Sequence, residues 1–480
     1  MSRIVQEFYK SCEENKDRTA VYYLRKNERE SRTFAELRIE VETMISVLHQ
    51  HGVRPGDRVL TFTSSGYTLC LFMLATLCMG VSVMYVDIYA KQESLQEIFQ
   101  KTRPHHILVS NRTALARNAF PAFRKIRSVI NIDRVYREKP KAEYVPNEIE
   151  EEAAGLITVT TGSTGTPKLF LRSHSDLYEQ LRLTTRNNDP KKNEDIVLTT
   201  SYIYIFSNLI QGMTTAIPNV NLGRKNTDKI VRKLEKFRDL AITRIMTSPD
   251  FCLRTPNMYP HLELMYFGGA VLNLHEALII KNKYLDCRII YIYGSTECNL
   301  IAMNTLDEFI RELKEEGICS LGKVCDGVSV RIDDNGHILV RSDALLTKSF
   351  EDIRLQDGYY DTHDVGMLKD GSLLYRGKHG FYVPVDGQQL CANEIEQQVI
   401  LQFPEIPKCA VVSQDGETVL FYEKSSAEPE KIRRFLKDRF RLDARVVCLD
   451  PIPKDIKHHT KINYLKLKKL VEKEQKRGCQ

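Results

Sequence analysis

Apolar positions along this chain follow two rhythms. Residues 34–52, FAELRIEVETMISVLHQHG, set Leu37, Val41, Ile45 and Leu48 three to four residues apart and stop at Gly52. That is the spacing of an amphipathic helix with a glycine end. Shorter runs read differently: RVLTF (58–62), VSVMYV (81–86), HILVS (106–110), SVIN (128–131), AITRIMTS (241–248), ELMYFGG (263–269) and RIIYIYG (288–294). They are too short for helices and rich in β-branched and aromatic residues, so strands are expected. Strands that alternate with helices predict an α/β fold, a large N-terminal domain of mostly parallel sheets flanked by helices on both faces.

One apolar stretch, TLCLFMLATLCMGVSVMYVD (68–87), is nearly as long as a bilayer is thick. Gly80 divides it into a helical half and a β-branched half that ends at an acid, so a buried helix, a glycine cap and a core strand are expected, with no transmembrane span. Near Gly377 the texture changes. FYVPVDGQQL reads as a strand pair turned at Asp386-Gly387. A helix follows from Asn393, with Ile395, Val399 and Phe403 on one face. KCAVVSQDGETVLFYE reads as a hairpin turned at Asp415-Gly416. The helix PEKIRRFLKDRF, the strand ARVVCLD and the basic helix KINYLKLKKLVEKEQK complete a compact α+β unit. The expected division is residues 1–377 and a small mobile C-terminal domain, residues 378–480, with RGKHG (376–380) as the exposed junction.

Composition narrows the function classes. A length of 480 residues suggests about three folding units. Hydrophobic residues make up 42% and charged residues 28%, ordinary globular values. A net charge of +6 is small against 69 basic and 63 acidic residues. It reads as a mixed solvated surface, as does the final lysine-rich helix, and no nucleic acid is expected as a partner. The twelve cysteines contain no C-x-x-C pair. Neither a zinc site nor a disulfide framework is indicated. The opening MSRIVQEFYKSCEENKD lacks the plan of a signal peptide. A reduced, cytoplasmic compartment fits.

The candidate chemistry begins at TTGSTGTPK (160–168). Thr160, Thr161, Gly162, Ser163, Thr164 and Gly165 offer backbone N–H groups and small hydroxyls, and Lys168 a charge, as a phosphate cradle needs. Pro167 precedes the lysine and Leu169 follows it, which argues against a Walker loop. A second stretch, IYIYGSTECN, puts Tyr293, Gly294, Ser295, Thr296 and Glu297 at the end of a strand, where open α/β sheets bind ligands. Glu297 is the candidate metal ligand, since Mg²⁺ takes carboxylate oxygens beside substrate phosphates.

In order along nearly the whole chain, these motifs resemble the adenylate-forming superfamily of acyl-CoA synthetases, nonribosomal adenylation domains and luciferases. TTGSTGTPK resembles its phosphate loop. YFGGA, with Gly268, Gly269 and Ala270, resembles the glycine-rich strand end against adenine. YGSTE resembles the adenine and magnesium motif, and DTHDVG the T-G-D motif, in which Asp364 would accept both ribose hydroxyls. Lys378 stands at the usual arginine, and IPKDIKHHTKINYLKL resembles the C-terminal motif, with Lys461 as catalytic lysine. The resemblance implies ATP and Mg²⁺ as cofactors and a carboxylic acid as substrate. The acid would be activated as its adenylate with release of pyrophosphate, then passed to CoA or to the phosphopantetheine thiol of an acyl carrier protein. Lys461, Thr296 and Glu297 would be the catalytic group.

Three positions depart from the pattern. His363 replaces the glycine of T-G-D and is expected to face solvent. Lys378 replaces a forked arginine with a point charge. Gly380 and Pro384 stand where the hinge acid and a lysine are usual, in GKHGFYVP. The region TTSYIYIFSNLIQGM lacks the acid that amino-acid-activating members carry, and its Tyr202, Tyr204, Phe206 and Leu209 suggest an apolar or aryl pocket for a fatty or aryl acid. The same region and the HHTKI ending are similar to β-lactone synthetases, so ring closure of a β-hydroxy acid without a thiol stays open. So does a degenerate nucleotide-binding or interaction protein, against which Lys168, Thr296, Glu297, Asp364 and Lys461 are all present.

Overall fold

The structure, a computed structural model, describes residues 1–478 apart from 64–65, 87–91, 115–122, 124–125, 127, 147, 162–166, 221–225, 347–349, 351–352 and 455–460. At 92–93, 160–161, 167 and 474–478 only the backbone is described.

Two large sheets carry the first 378 residues. The smaller has six strands in the order Ser128–Asn131, His106–Val109, Arg58–Phe62, Ser82–Tyr85, Ala154–Thr161 and Pro167–Ser173. The first five run parallel and the last is antiparallel to its neighbour. The apolar stretch at its centre folds as read: the helix Tyr67–Cys78, Gly80 in the left-handed region at φ 67°, then Ser82–Tyr85. Among the described residues no helix is long and apolar enough to cross a membrane. The helix Phe34–Gln50 buries Leu37, Val41, Ile45 and Leu48, and a Thr33–Glu36 capping box opens it.

The larger sheet has fourteen strands. A parallel run joins Arg288–Ser295, Leu264–Gly268, Arg244–Thr247, Ile196–Thr199, Thr214–Ile217 and Thr19–Arg25. From Arg288–Ser295 outward the pairing turns antiparallel through Asn299–Thr305, Cys319–Val324, Ser372–Lys378, Tyr359–Lys369, His337–Ser342 and Val328–Ile332. All of Arg244–Thr247 is buried, as parallel strands covered on both faces require, whereas Val328–Ile332 is half-open.

Beyond Lys378 the elements are small. Tyr382–Val385 and Gln388–Cys391 form a hairpin whose Asp386 and Gly387 both have positive φ, 46° and 78°. Cys409–Gln414 and Glu417–Tyr422 form a second, with Asp415 and Gly416 at 51° and 81°. Two-residue turns with both central φ positive match the twist of the flanking strands, which is why Asp-Gly marked them. The helices Ala392–Gln402 and Pro429–Phe440, the strand Arg445–Cys448 and the helix Tyr464–Gly478 complete the unit.

This unit is docked on the large sheet. One apolar cluster runs from Phe267, Leu272 and Tyr291 through Val383 and Ile395 to Val411 and Leu420. Lys408 Nζ lies 2.6 Å from Glu276 Oε1, with both side chains under 10% exposed, 6% and 9%. Asn273 Nδ2 donates to the Pro407 carbonyl at 3.0 Å, and Gln398 Nε2 to the Gly317 carbonyl at 2.9 Å.

Candidate active site

The phosphate segment sits in a β-hairpin. Thr160 pairs with Lys168 and Thr161 with Pro167 across antiparallel strands. A Walker loop runs from a strand into a helix N-terminus, so this topology separates the two on backbone grounds. Gly162, Ser163, Thr164 and Gly165 lie outside the described residues, and only the backbone of Thr160 and Thr161 is described. Lys168 lines a cleft of about 2380 Å³ between the sheets and the C-terminal unit.

Strand ends supply the opposite wall. Gly268 closes Leu264–Gly268, and a Cβ there would lie 2.5 Å from the Ile292 carbonyl oxygen. Gly269 turns at φ 89°, and the Ala270 carbonyl accepts from Tyr291 Oη at 3.0 Å. A Cβ on Gly294 would lie 1.9 Å from the Asn299 carbonyl oxygen, so only glycine fits this bulge. Ser295 Oγ accepts from Cys298 N at 3.1 Å and ties the turn that presents Thr296 and Glu297.

Asp364 is the hub. Tyr293 Oη donates to its Oδ2 at 2.7 Å, and Lys378 Nζ lies 3.6 Å from its Oδ1. The two residues pair directly across Tyr359–Lys369 and Ser372–Lys378, so the antiparallel register itself brings the lysine to the aspartate. Burial raises the Asp364 pKa; Lys378, Tyr293 and Lys461 oppose the rise. Lys461, almost a hundred positions downstream, lines the same cleft and acts on the carboxylate as a nearby positive charge. His363 is about half exposed, as expected, and stands in the left-handed region at φ 58°. Its N–H is held by Asp361 Oδ1 at 2.7 Å. Gly380 sits at φ 86° with open space where a Cβ would stand, so a bulkier residue there would meet backbone strain alone.

Glu297 faces the cleft and accepts from Tyr360 Oη at 3.0 Å. Among the described residues no group of three or more His, Cys, Asp or Glu side chains is arranged to hold a metal. A single oriented carboxylate beside a phosphate site still fits Mg²⁺, which keeps waters and takes its remaining oxygens from phosphates.

On the acid side, the apolar stretch folds as the helix Tyr202–Ile210. Tyr202, Tyr204 and Phe206 line the cleft, while Leu209 is wholly buried in the core. Phe206 is only 8% exposed and packs in the same core cluster as Leu209. Sequence reading missed Tyr360 and Arg172. Tyr360 lies only four residues before Asp364, and Arg172 was the lone charge inside the apolar strand LFLRS, a signal that could have singled it out.

The fold and the cleft define an adenylate-forming ligase. The sequence profile of the AMP-binding enzymes matches residues 8–345, and the chain belongs to that family. It is 24% identical over 380 residues to the D-alanine–D-alanyl carrier protein ligase of Lactococcus lactis, which covers 75% of each chain. The o-succinylbenzoate CoA synthetase of Bacillus subtilis, solved with its acyl-adenylate, superposes with a TM-score of 0.80 at 18% identity, over 96% of this chain and 97% of the other. The amide bond synthetase McbA of Marinactinospora thermotolerans gives 0.81 at 17% identity, over 98% and 99%. At such identities the structural likeness is one of fold.

Proposed function

We propose that the protein joins ATP and a fatty or aryl carboxylic acid into an acyl-adenylate with release of pyrophosphate, and that CoA or a carrier-protein thiol then receives the acyl group. The observation that carries the proposal is that Lys168, Glu297, Asp364, Lys378 and Lys461 line one cleft, with Lys378 3.6 Å from Asp364. In this reading residues 1–377 hold the nucleotide and residues 378–480 deliver Lys461.

The chemistry follows from charge. A carboxylate attacking an α-phosphoryl group meets an anion, so the repulsion must be offset before the bond can form. Lys461 bridges the attacking carboxylate and the α-phosphate, and Lys168 with the loop N–H groups receives the departing pyrophosphate. Mg²⁺, when bound at Glu297, supplies further charge neutralisation of the phosphates. Asp364 accepts the ribose hydroxyls, with Tyr293 and Lys378 fixing its orientation. The close backbone approaches that Gly268 and Gly294 permit shape the strand ends against which the adenine ring would lie. Tyr202, Tyr204 and Phe206 offer an acid-free, mostly apolar wall to the tail of the substrate.

Pyrophosphate release measured against a library of fatty, aryl and hydroxy acids, with and without CoA, tests this reading. Release with an apolar acid is the expected result, and silence across the library at high enzyme concentration would sink it. A second reading, ring closure of a β-hydroxy acid without a thiol, draws support from the docking contacts. The buried Lys408–Glu276 pair and the shared apolar cluster hold the small unit where it presents Lys461. That reading predicts steady turnover of a β-hydroxy acid in the absence of any thiol.

A further inference from the structure

Arg172 lies on the second strand of the phosphate hairpin, outside the residues of either motif. Its side chain is 6% exposed, yet its N–H groups go to neutral oxygens. Nε donates to Gln180 Oε1 at 3.0 Å, one Nη to Thr158 Oγ1, and the other Nη to the Thr296 carbonyl at 2.7 Å. No carboxylate among the described residues lies within ion-pair distance of it. The charged and titratable groups that act on it from farther away are Tyr202, Glu297 and Asp176. Burial lowers its pKa to about 10, and the Tyr202 phenol beside it is pushed up to about 12.

The three acceptors come from three different places. Thr158 belongs to the strand that enters the phosphate loop and Thr296 to the turn carrying Glu297, while Arg172 itself sits on the strand that leaves the loop. Gln180 lies on the helix His174–Asn187, and its own Nε2 reaches the Ala344 carbonyl at 3.4 Å. One guanidinium thus fastens the hairpin to the turn. A buried cation without a paired carboxylate is costly unless an anion completes it. The nearest surface it lines is the cleft itself.

We propose that Arg172 is a positioning residue for the polyphosphate: it locks the phosphate hairpin to the Thr296–Glu297 turn and holds a fixed positive charge that the phosphates of the nucleotide complete. This rests on the proposed reading of the cleft as an ATP site with Glu297 toward the metal. The charge acts on two ligands with opposite sign. It favours the anionic nucleotide and disfavours a cation at Glu297. Mere loosening of the turn would weaken both.

The test uses the full chain and two variants, Arg172→Gln, which drops the charge but keeps hydrogen-bonding groups, and Arg172→Lys, which keeps the charge but loses the fork. Mn²⁺ binding without nucleotide is read by electron paramagnetic resonance, and ATP binding without acid by calorimetry, with thermal unfolding recorded for each protein. Arg172→Gln is expected to weaken ATP by about tenfold and to tighten Mn²⁺ by roughly twofold or more, with Arg172→Lys between it and the natural chain on both scales. Shifts in the same direction, or ATP affinity unchanged in a folded Arg172→Gln or Arg172→Lys protein, would overturn the proposal. Glu297→Gln separates it from the reading it rests on. Mn²⁺ binding that survives Glu297→Gln refutes the metal assignment, while the ATP arm still decides for or against Arg172. A natural chain that binds no ATP overturns both.

Discussion

Asp364 shows how much one carboxylate can organise. Burial favours its neutral form, opposed by the Tyr293 phenol that donates to it and by the charges of Lys378 and Lys461. In the proposed reading, Lys461 acts on the reacting atoms rather than on nucleotide affinity. Lys461→Ala should therefore slow pyrophosphate formation by on the order of a thousandfold while ATP binding changes only a few-fold, a split visible when single-turnover rates are set beside calorimetry. Lys378 is a point charge 3.6 Å from Asp364, where a guanidinium would add a second N–H. Lys378→Arg is expected to tighten ATP by roughly three- to tenfold; weaker binding would show that the lysine is shaped to this pocket. At this scale the residues of the candidate cleft were largely legible, because Asp364, Lys461 and Glu297, which all line it, sit in contiguous motifs. Arg172 and Tyr360 were not, since each acts through a contact from its own strand to the distant turn at Thr296 and Glu297. Nothing in local spacing announces such a contact.

Among the elements, the helix Ala392–Gln402 carries an uncommon load. Its Glu396 is buried, accepts from Val411 N at 2.9 Å and from Tyr464 Oη at 2.8 Å, and lies near Lys408. Burial pushes its pKa from 4.5 up to about 7. The folded state thus holds a proton that the unfolded chain releases. Its stabilising contribution is complete below about pH 4.5 and is lost as pH rises through about 7. His174 has the opposite sign: burial lowers its pKa from 6.5 to about 4, so its contribution is present above about pH 6.5 and fades toward pH 4. The two nearly mask each other in the natural chain. Relative to it, Glu396→Gln should gain roughly 2–3 kcal/mol between pH 4.5 and pH 8, measured as the difference in urea midpoints. Parallel curves for the two proteins would contradict the burial argument. The elements themselves were mostly readable, most clearly the Asp-Gly hairpins, whose turn chemistry fixes their register. The strand expected over 241–248 is shorter, Arg244–Thr247, because Ile242 turns to cap the preceding segment through its N–H to the Leu240 carbonyl. The long antiparallel wing was less visible, since its half-open strands lack the continuous apolar runs that marked the parallel half.

Across the whole molecule, the Lys408–Glu276 pair is the contact to test. Removing one partner strands a buried charge, so Lys408→Met should destabilise the protein by about 3–5 kcal/mol. Adding Glu276→Met should return most of that loss, because two apolar side chains of similar size can replace a buried pair. A double variant no more stable than the single one in denaturant melts would show that the pair is not an isolated contact. Neither residue was legible in the sequence. A lysine before a strand and a glutamate in a helix gain meaning only once the docked units bring them within 2.6 Å.

The shared apolar cluster also bears on how the chain is made. A ribosome releases the large sheet first, with Phe267, Leu272 and Tyr291 already in place. Their covering partners, Val383, Ile395, Val411 and Leu420, come later in the chain. Synthesis of the last hundred residues takes roughly 5–20 s. Through that interval the nascent protein carries an uncovered apolar face, the kind of surface that invites chaperone binding or aggregation before the last segment arrives.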